Sequence, residues 1–183
     1  MGELAILGGR PVSERPIPIA KPIFTEQVKR DVLRVLESGR LRQGPLTEEF
    51  ERRFSRRVGS RYAYAVNSGT AALHVAYLSI LRPGDEVIVP AFTFIATASM
   101  VVYAFGRPVF ADIDVETLTI DVEDVKEKIT SRTRAIAPVH LFGNAADMKA
   151  LMEIAEDHNL YLVSDAAQAH GTEIEGRDVG SFD

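Results

Sequence analysis

The stretch Tyr161-Leu162-Val163-Ser164-Asp165-Ala166-Ala167-Gln168-Ala169-His170-Gly171 decides how this chain folds. Its opening apolar run reads as a buried strand, and the end of such a strand is where open α/β sheets put their ligand chemistry. Asp165 is delivered to that end. A carboxylate after Tyr161-Leu162-Val163 is partly desolvated, which is costly unless it meets a cation or several donors. A cationic heterocycle would satisfy it; so would a turn or the N-terminus of a helix. Gln168, three residues on, is within reach of the same ligand.

Outward from this strand the chain alternates. Strand-like runs are expected at Tyr62 to Val66, Glu86 to Val89, Pro108 to Asp112, Arg134 to Val139 and Tyr161 to Ser164. Helical patterns separate them at Gly69 to Leu81, Phe94 to Phe105, Val122 to Thr130 and Ala145 to His158. Repeated strand-then-helix units predict an α/β fold with three αβα layers around a mostly parallel, mixed sheet. Arg82-Pro83-Gly84-Asp85 and Gly106-Arg107-Pro108 mark the turns from helix into strand. Ahead of these units, residues 1–24 carry Pro11, Pro16, Pro18 and Pro22 and read as an extended arm. Val28, Val32, Val35 and Leu36 then recur at helical spacing until Ser38-Gly39. After the Leu41 to Pro45 loop, Leu46 to Val58 is an amphipathic helix stopped by Gly59.

Composition removes several classes of function. At 183 residues, 46% hydrophobic and 26% charged, the chain has the balance of a globular domain with a sizeable core. A net charge of −5 argues against nucleic acid as a partner. The one cationic cluster, Arg52, Arg53, Arg56, Arg57 and Arg61, follows Glu48, Glu49 and Glu51 and reads as a solvated helix face. There is no cysteine, and His74, His140, His158 and His170 are scattered, so no metal site is expected. No segment approaches the length of a membrane span, and the cytoplasm is the expected compartment.

Three further segments emerge at strand ends or helix starts. At Asn67-Ser68-Gly69-Thr70 a helix N-terminus offers free backbone N–H groups to an anion such as phosphate, although Ser68 also serves as a plain N-cap. Phe92 and Phe94 follow the strand at Glu86, where an aromatic ring either stacks on a flat ligand or packs into the core. His140 ends another strand, as an acid, a base, a ligand neighbour or a structural histidine. Asp112 and Asp114 read as turn formers. Neither the dinucleotide fingerprint nor the phosphate-binding P-loop is present, which disfavours a nicotinamide enzyme.

In order and at these separations, NSGTAALH, PAFTFIATA, PVFADID, PVHLFGNAADM and VSDAAQAHG resemble the motifs of the DegT/DnrJ/EryC1/StrS family of pyridoxal-phosphate sugar aminotransferases. The resemblance runs from about Ile17 onward. It implies an aspartate-aminotransferase-like (fold type I) large domain, here incomplete, over residues 25–183, with pyridoxal 5′-phosphate as cofactor. By position, Ser68, Gly69 and Thr70 match the phosphate-binding segment and Phe94 the aromatic that stacks on the pyridoxal ring. Asp165 matches the partner of the pyridine nitrogen and Gln168 the neighbour of the phenolic oxygen. None of the five lysines, Lys21, Lys29, Lys126, Lys128 and Lys149, matches the family's Schiff-base position, which is expected beyond Asp183 together with the smaller domain. The implied activity of the intact enzyme is amination of a keto-sugar nucleotide or keto-cyclitol with glutamate or glutamine as donor, in a homodimer. Two alternatives stand beside it: a dehydratase on the same scaffold, with His in place of the lysine, and a non-catalytic remnant or binding module.

Overall fold

The computed structural model describes residues 3–13 and 15–182. The chain divides into two compact units, residues 1–44 and 45–183.

In the first unit, a short helical turn at Ala5–Leu7 is followed by a stretch without regular structure, and then by α1 (Glu26–Ser38). The Thr25 side chain caps α1 by accepting from Val28 N–H at 3.3 Å, and Gly39 ends it in the left-handed conformation at φ 65°. The apolar stripe seen in the sequence is real, yet Val28, Val32 and Leu36 stay exposed.

The second unit opens with α2 (Pro45–Val58) and continues through α3 (Gly69–Ile80), β1 (Glu86–Pro90), α4 (Ala96–Tyr103) and β2 (Arg107–Ala111). It goes on with α5 (Val122–Lys128), β3 (Thr133–Ile136), α6 (Met148–His158) and β4 (Tyr161–Leu162), then the hairpin β5 (Glu173–Ile174) and β6 (Arg177–Asp178). The main sheet has the order β2-β1-β3-β4 and is parallel throughout; the antiparallel pair β5-β6 stands apart from it.

The period of two along a strand assigns each side chain to a layer. Val87, Val89, Ala135 and Ala137 face one way, into a core completed by Leu73 and Tyr77 of α3 and Ala98 and Val101 of α4. Ile88 and Ile136 face the other way, against Val125 of α5 and Met148, Leu151 and Ile154 of α6. Burial on both faces explains why β1 reads as an unbroken apolar run rather than an alternating one. A side chain at Gly106, between α4 and β2, would start 3.0 Å from Leu81 Cδ1 and Val101 Cγ1 and 3.1 Å from Asp85 O, so these neighbours would have to give by a few tenths of an ångström.

The expected strand at Tyr62 to Val66 does not form. A strand exists only through a neighbour's backbone, and no described residue ladders with this segment. Tyr62, Tyr64 and Val66 remain exposed, and the Ala65 N–H is taken by the Glu51 carboxylate at 2.8 Å. β3 and β4 are also shorter than their apolar runs; beyond them the pairing survives as a single parallel bridge, Val139 to Asp165.

Candidate functional site

β1 has β2 on one side and β3 on the other, so the strand order reverses there, and the carboxyl ends of the strands at such a point are where open α/β sheets bind ligands. Among the segments that leave the sheet at that end are Phe92 to Ile95 after β1, His140 after β3 and Asp165 after β4. Asp165 is tied to the sheet through its backbone, donating to Pro138 O at 2.9 Å and accepting from His140 N–H at 3.0 Å. Its half-buried carboxylate accepts twice, from the Thr97 hydroxyl on Oδ2 at 2.9 Å and from Ala167 N–H on Oδ1 at 3.1 Å. Each oxygen keeps a lone pair for a further donor, and two fixed partners hold the plane of the group.

Gln168 accepts the Phe142 N–H on its Oε1 at 2.9 Å. Phe94 is two-thirds exposed, at 67%, in the loop ahead of α4, so its ring is free of the core that the sequence offered as an alternative. At the start of α3, Ser68 caps the helix by accepting from Ala71 N–H at 3.1 Å, and its carbonyl takes Ala72 N–H. Among the described residues the N–H groups of Gly69 and Thr70 have no protein acceptor, and nothing lies within 4 Å of where a Gly69 side chain would start. Capping and anion binding are therefore compatible here: the cap uses the third and fourth amides and leaves the first two open. No hydrogen bond joins Ser68, Gly69 or Thr70 to the other candidates among the described residues.

His140 is fully buried and only half satisfied. Its Nδ1 accepts from Ala146 N–H at 3.1 Å, while Nε2 finds no partner among the described residues. Burial pulls its pKa below the ordinary value, against the opposing pull of the Asp165 and Asp178 carboxylates. Asp114 is a turn former, accepting from Glu116 and Thr117 N–H. Two further residues bond into this cluster although the sequence assigned neither of them a role: Thr97, within PAFTFIATA, and Tyr77. Both have no exposed surface, and the Tyr77 hydroxyl donates to Thr97 O at 3.1 Å. Burial, and then the charge of Asp165, push the Tyr77 phenol well above its usual range.

Residues 22–183 match the profile of the DegT/DnrJ/EryC1/StrS aminotransferase family. The chain belongs to that family. It is 38% identical over 168 residues to a GDP-perosamine synthase from Vibrio cholerae, covering 91% of this chain and 46% of that protein. Its fold matches DesI, solved in the presence of its TDP-sugar product, with a TM-score of 0.87 at 36% identity, over 97% of this chain and 46% of DesI. It also matches E. coli GDP-4-keto-6-deoxy-D-mannose-3-dehydratase with bound hydrated PLP, with a TM-score of 0.84 at 30% identity, over 90% of this chain and 44% of that one. The chain thus spans under half the length of the DegT/DnrJ/EryC1/StrS proteins it resembles. The architecture is that of fold type I pyridoxal-phosphate enzymes, of which it holds the N-terminal portion.

Proposed function

We propose that this chain is the N-terminal part of a pyridoxal-phosphate-dependent aminotransferase acting on a keto-sugar nucleotide or keto-cyclitol, with glutamate or glutamine as amino donor. The observation that carries the reading is the Asp165 carboxylate, pinned at the end of β4 with a lone pair free on each oxygen. Such a group suits a protonated pyridine nitrogen, and the pairing keeps the ring cationic. Bound there, the cofactor supplies an electron sink for carbanion chemistry. The protein's part is to hold it. Asp165 fixes the nitrogen edge, Phe94 covers a face, Gln168 donates to the phenolic oxygen, and Ser68, Gly69 and Thr70 receive the phosphate at the positive end of α3.

The working protein is further proposed to be a cytoplasmic homodimer, in which residues 1–24 and the Leu41 to Pro45 loop contribute to the interface. Supporting this, Val75 and Leu78 of α3 and Val102 and Tyr103 of α4 are exposed, as is the stripe on α1. No described helix is long and apolar enough to cross a membrane. Deleting residues 1–24 and measuring mass in solution tests the interface: an unchanged dimer overturns the role of the arm.

A dehydratase reading is kept because two structural neighbours are dehydratases. The residue at the family's Schiff-base position, lysine for the aminotransferase and histidine for the dehydratase, decides between them. The chain by itself is expected to bind pyridoxal phosphate weakly and to complete no transamination. Titration of the chain with the cofactor, together with a turnover assay, checks this. No saturable binding favours the remnant or binding-module reading, and turnover contradicts the incomplete site.

A further inference from the structure

Thr97 commits each of its polar groups to a different part of the site. Its N–H donates to Phe94 O at 3.3 Å, which fixes the backbone of the exposed aromatic. Its hydroxyl donates to Asp165 Oδ2 at 2.9 Å, across 68 residues of sequence. Its carbonyl accepts from the buried Tyr77 hydroxyl of α3 at 3.1 Å. The residue has no exposed surface and sits in the first turn of α4. We infer that Thr97 is a positioning residue, which sets the Phe94 ring and the Asp165 carboxylate in register for the face and the nitrogen edge of one bound heterocycle. This rests on the reading of Asp165 as the partner of a pyridine nitrogen.

Asp165 is half-buried, and a carboxylate free to rotate presents its lone pairs over a range of directions. With Thr97 on Oδ2 and Ala167 N–H on Oδ1, the plane of the group is fixed before any ligand arrives. Pre-organisation of this kind reduces the ordering cost of binding. Because Thr97 N–H holds the Phe94 carbonyl, the same residue limits how far the aromatic segment drifts from the carboxylate. Tyr77 closes the arrangement from α3, the helix whose N-terminus is the candidate phosphate site. Its phenol stays protonated, as a donor to a carbonyl must, because burial and the nearby Asp165 charge raise its pKa.

The test compares two probes on the 183-residue chain: pyridoxal phosphate, and its carbocyclic analogue with CH in place of the ring nitrogen. Wild type is expected to prefer the nitrogen-containing ring. Thr97→Val keeps the shape and removes the donor; it should weaken pyridoxal phosphate about tenfold while barely changing the analogue, as loss of a hydrogen bond to a charged group implies. Thr97→Ser should restore most of the preference. Tyr77→Phe, a milder change that removes only the bond to Thr97 O, should shift the preference in the same direction and by less. If Thr97→Val and Tyr77→Phe leave the preference intact while Asp165→Ala abolishes it, the role of Thr97 is overturned and that of Asp165 stands. Equal weakening of both probes by Thr97→Val reduces Thr97 to a structural residue and also overturns the inference. A preference that survives Asp165→Ala, or no saturable binding of either probe to wild type, overturns the Asp165 reading and this inference with it.

Discussion

The Phe142 N–H donates to Gln168 Oε1 at 2.9 Å, and that bond settles which end of the amide is available. A backbone N–H needs an acceptor, so the carbonyl oxygen is committed and the NH2 end remains to donate. This is the orientation needed to serve a phenolic oxygen. Gln168→Glu keeps the acceptor and replaces the donor with a negative charge. It should weaken pyridoxal phosphate about tenfold in a fluorescence titration and move unfolding stability by less than about 0.5 kcal/mol, because the side chain is exposed. Unchanged affinity would remove Gln168 from the site.

Ser68 serves α3 as a cap and is proposed to serve a phosphate, and two substitutions separate these roles. Ser68→Ala removes the acceptor for Ala71 N–H and should cost about 1 kcal/mol in chemical denaturation. Ser68→Asp keeps the cap and places a negative charge beside the phosphate position. Its stability should match wild type while affinity for the cofactor falls. If Ser68→Asp binds as well as wild type, the phosphate lies elsewhere.

At the opposite end of β1, Glu86 is buried at 2% exposure and accepts from Thr130 Oγ1 at 2.6 Å and from Arg132 Nη2 at 2.8 Å. The Thr130 hydrogen bond, and then Arg132, hold its pKa below the ordinary 4.5, against the cost of burial. The folded state therefore releases this proton more readily than the unfolded chain does. The stabilisation is present above the unfolded value and is lost as pH falls through the lower, folded one. Glu86→Gln should cost about 1–3 kcal/mol at neutral pH and flatten the acid limb of a stability–pH curve. An acid limb identical to wild type would contradict this.

His140 gives the reverse chemistry with the same sign. With Nδ1 accepting from Ala146, the neutral ring carries its proton on Nε2. Burial lowers its pKa from the ordinary 6.5, so the unfolded chain takes up this proton first as the solution is acidified. Its contribution is fully present above the unfolded value and is lost as pH falls through the lower folded one. Nitrogen NMR at neutral pH should show the Nε2–H tautomer, and His140→Phe should reduce the pH dependence below neutrality. A protonated imidazolium at neutral pH would contradict the account.

The layers were legible because apolar residues on both faces of β1 and β3 leave little freedom of interpretation: Val87, Ile88 and Val89 are buried whichever way they point. Asp165 and Gln168 stood out for the same reason, as polar groups at the end of an apolar run. Tyr62 to Val66 has a strand's composition, but sequence pattern reports a preference and not the partner that satisfies it. The roles of Thr97 and Tyr77 were not legible because their bonds span 68 and 20 residues. Such contacts arise from the packing of α3 and α4 on the sheet, which periodicity does not encode.

Nitrogen NMR of ring-labelled pyridoxal phosphate bound to the chain reads directly whether Asp165 holds a protonated pyridine nitrogen. At a mildly alkaline pH where the free cofactor's ring nitrogen is unprotonated, the account predicts a protonated nitrogen on the wild-type chain and an unprotonated one on Asp165→Asn. An unprotonated nitrogen on wild type, or the same signal from both proteins, would contradict it.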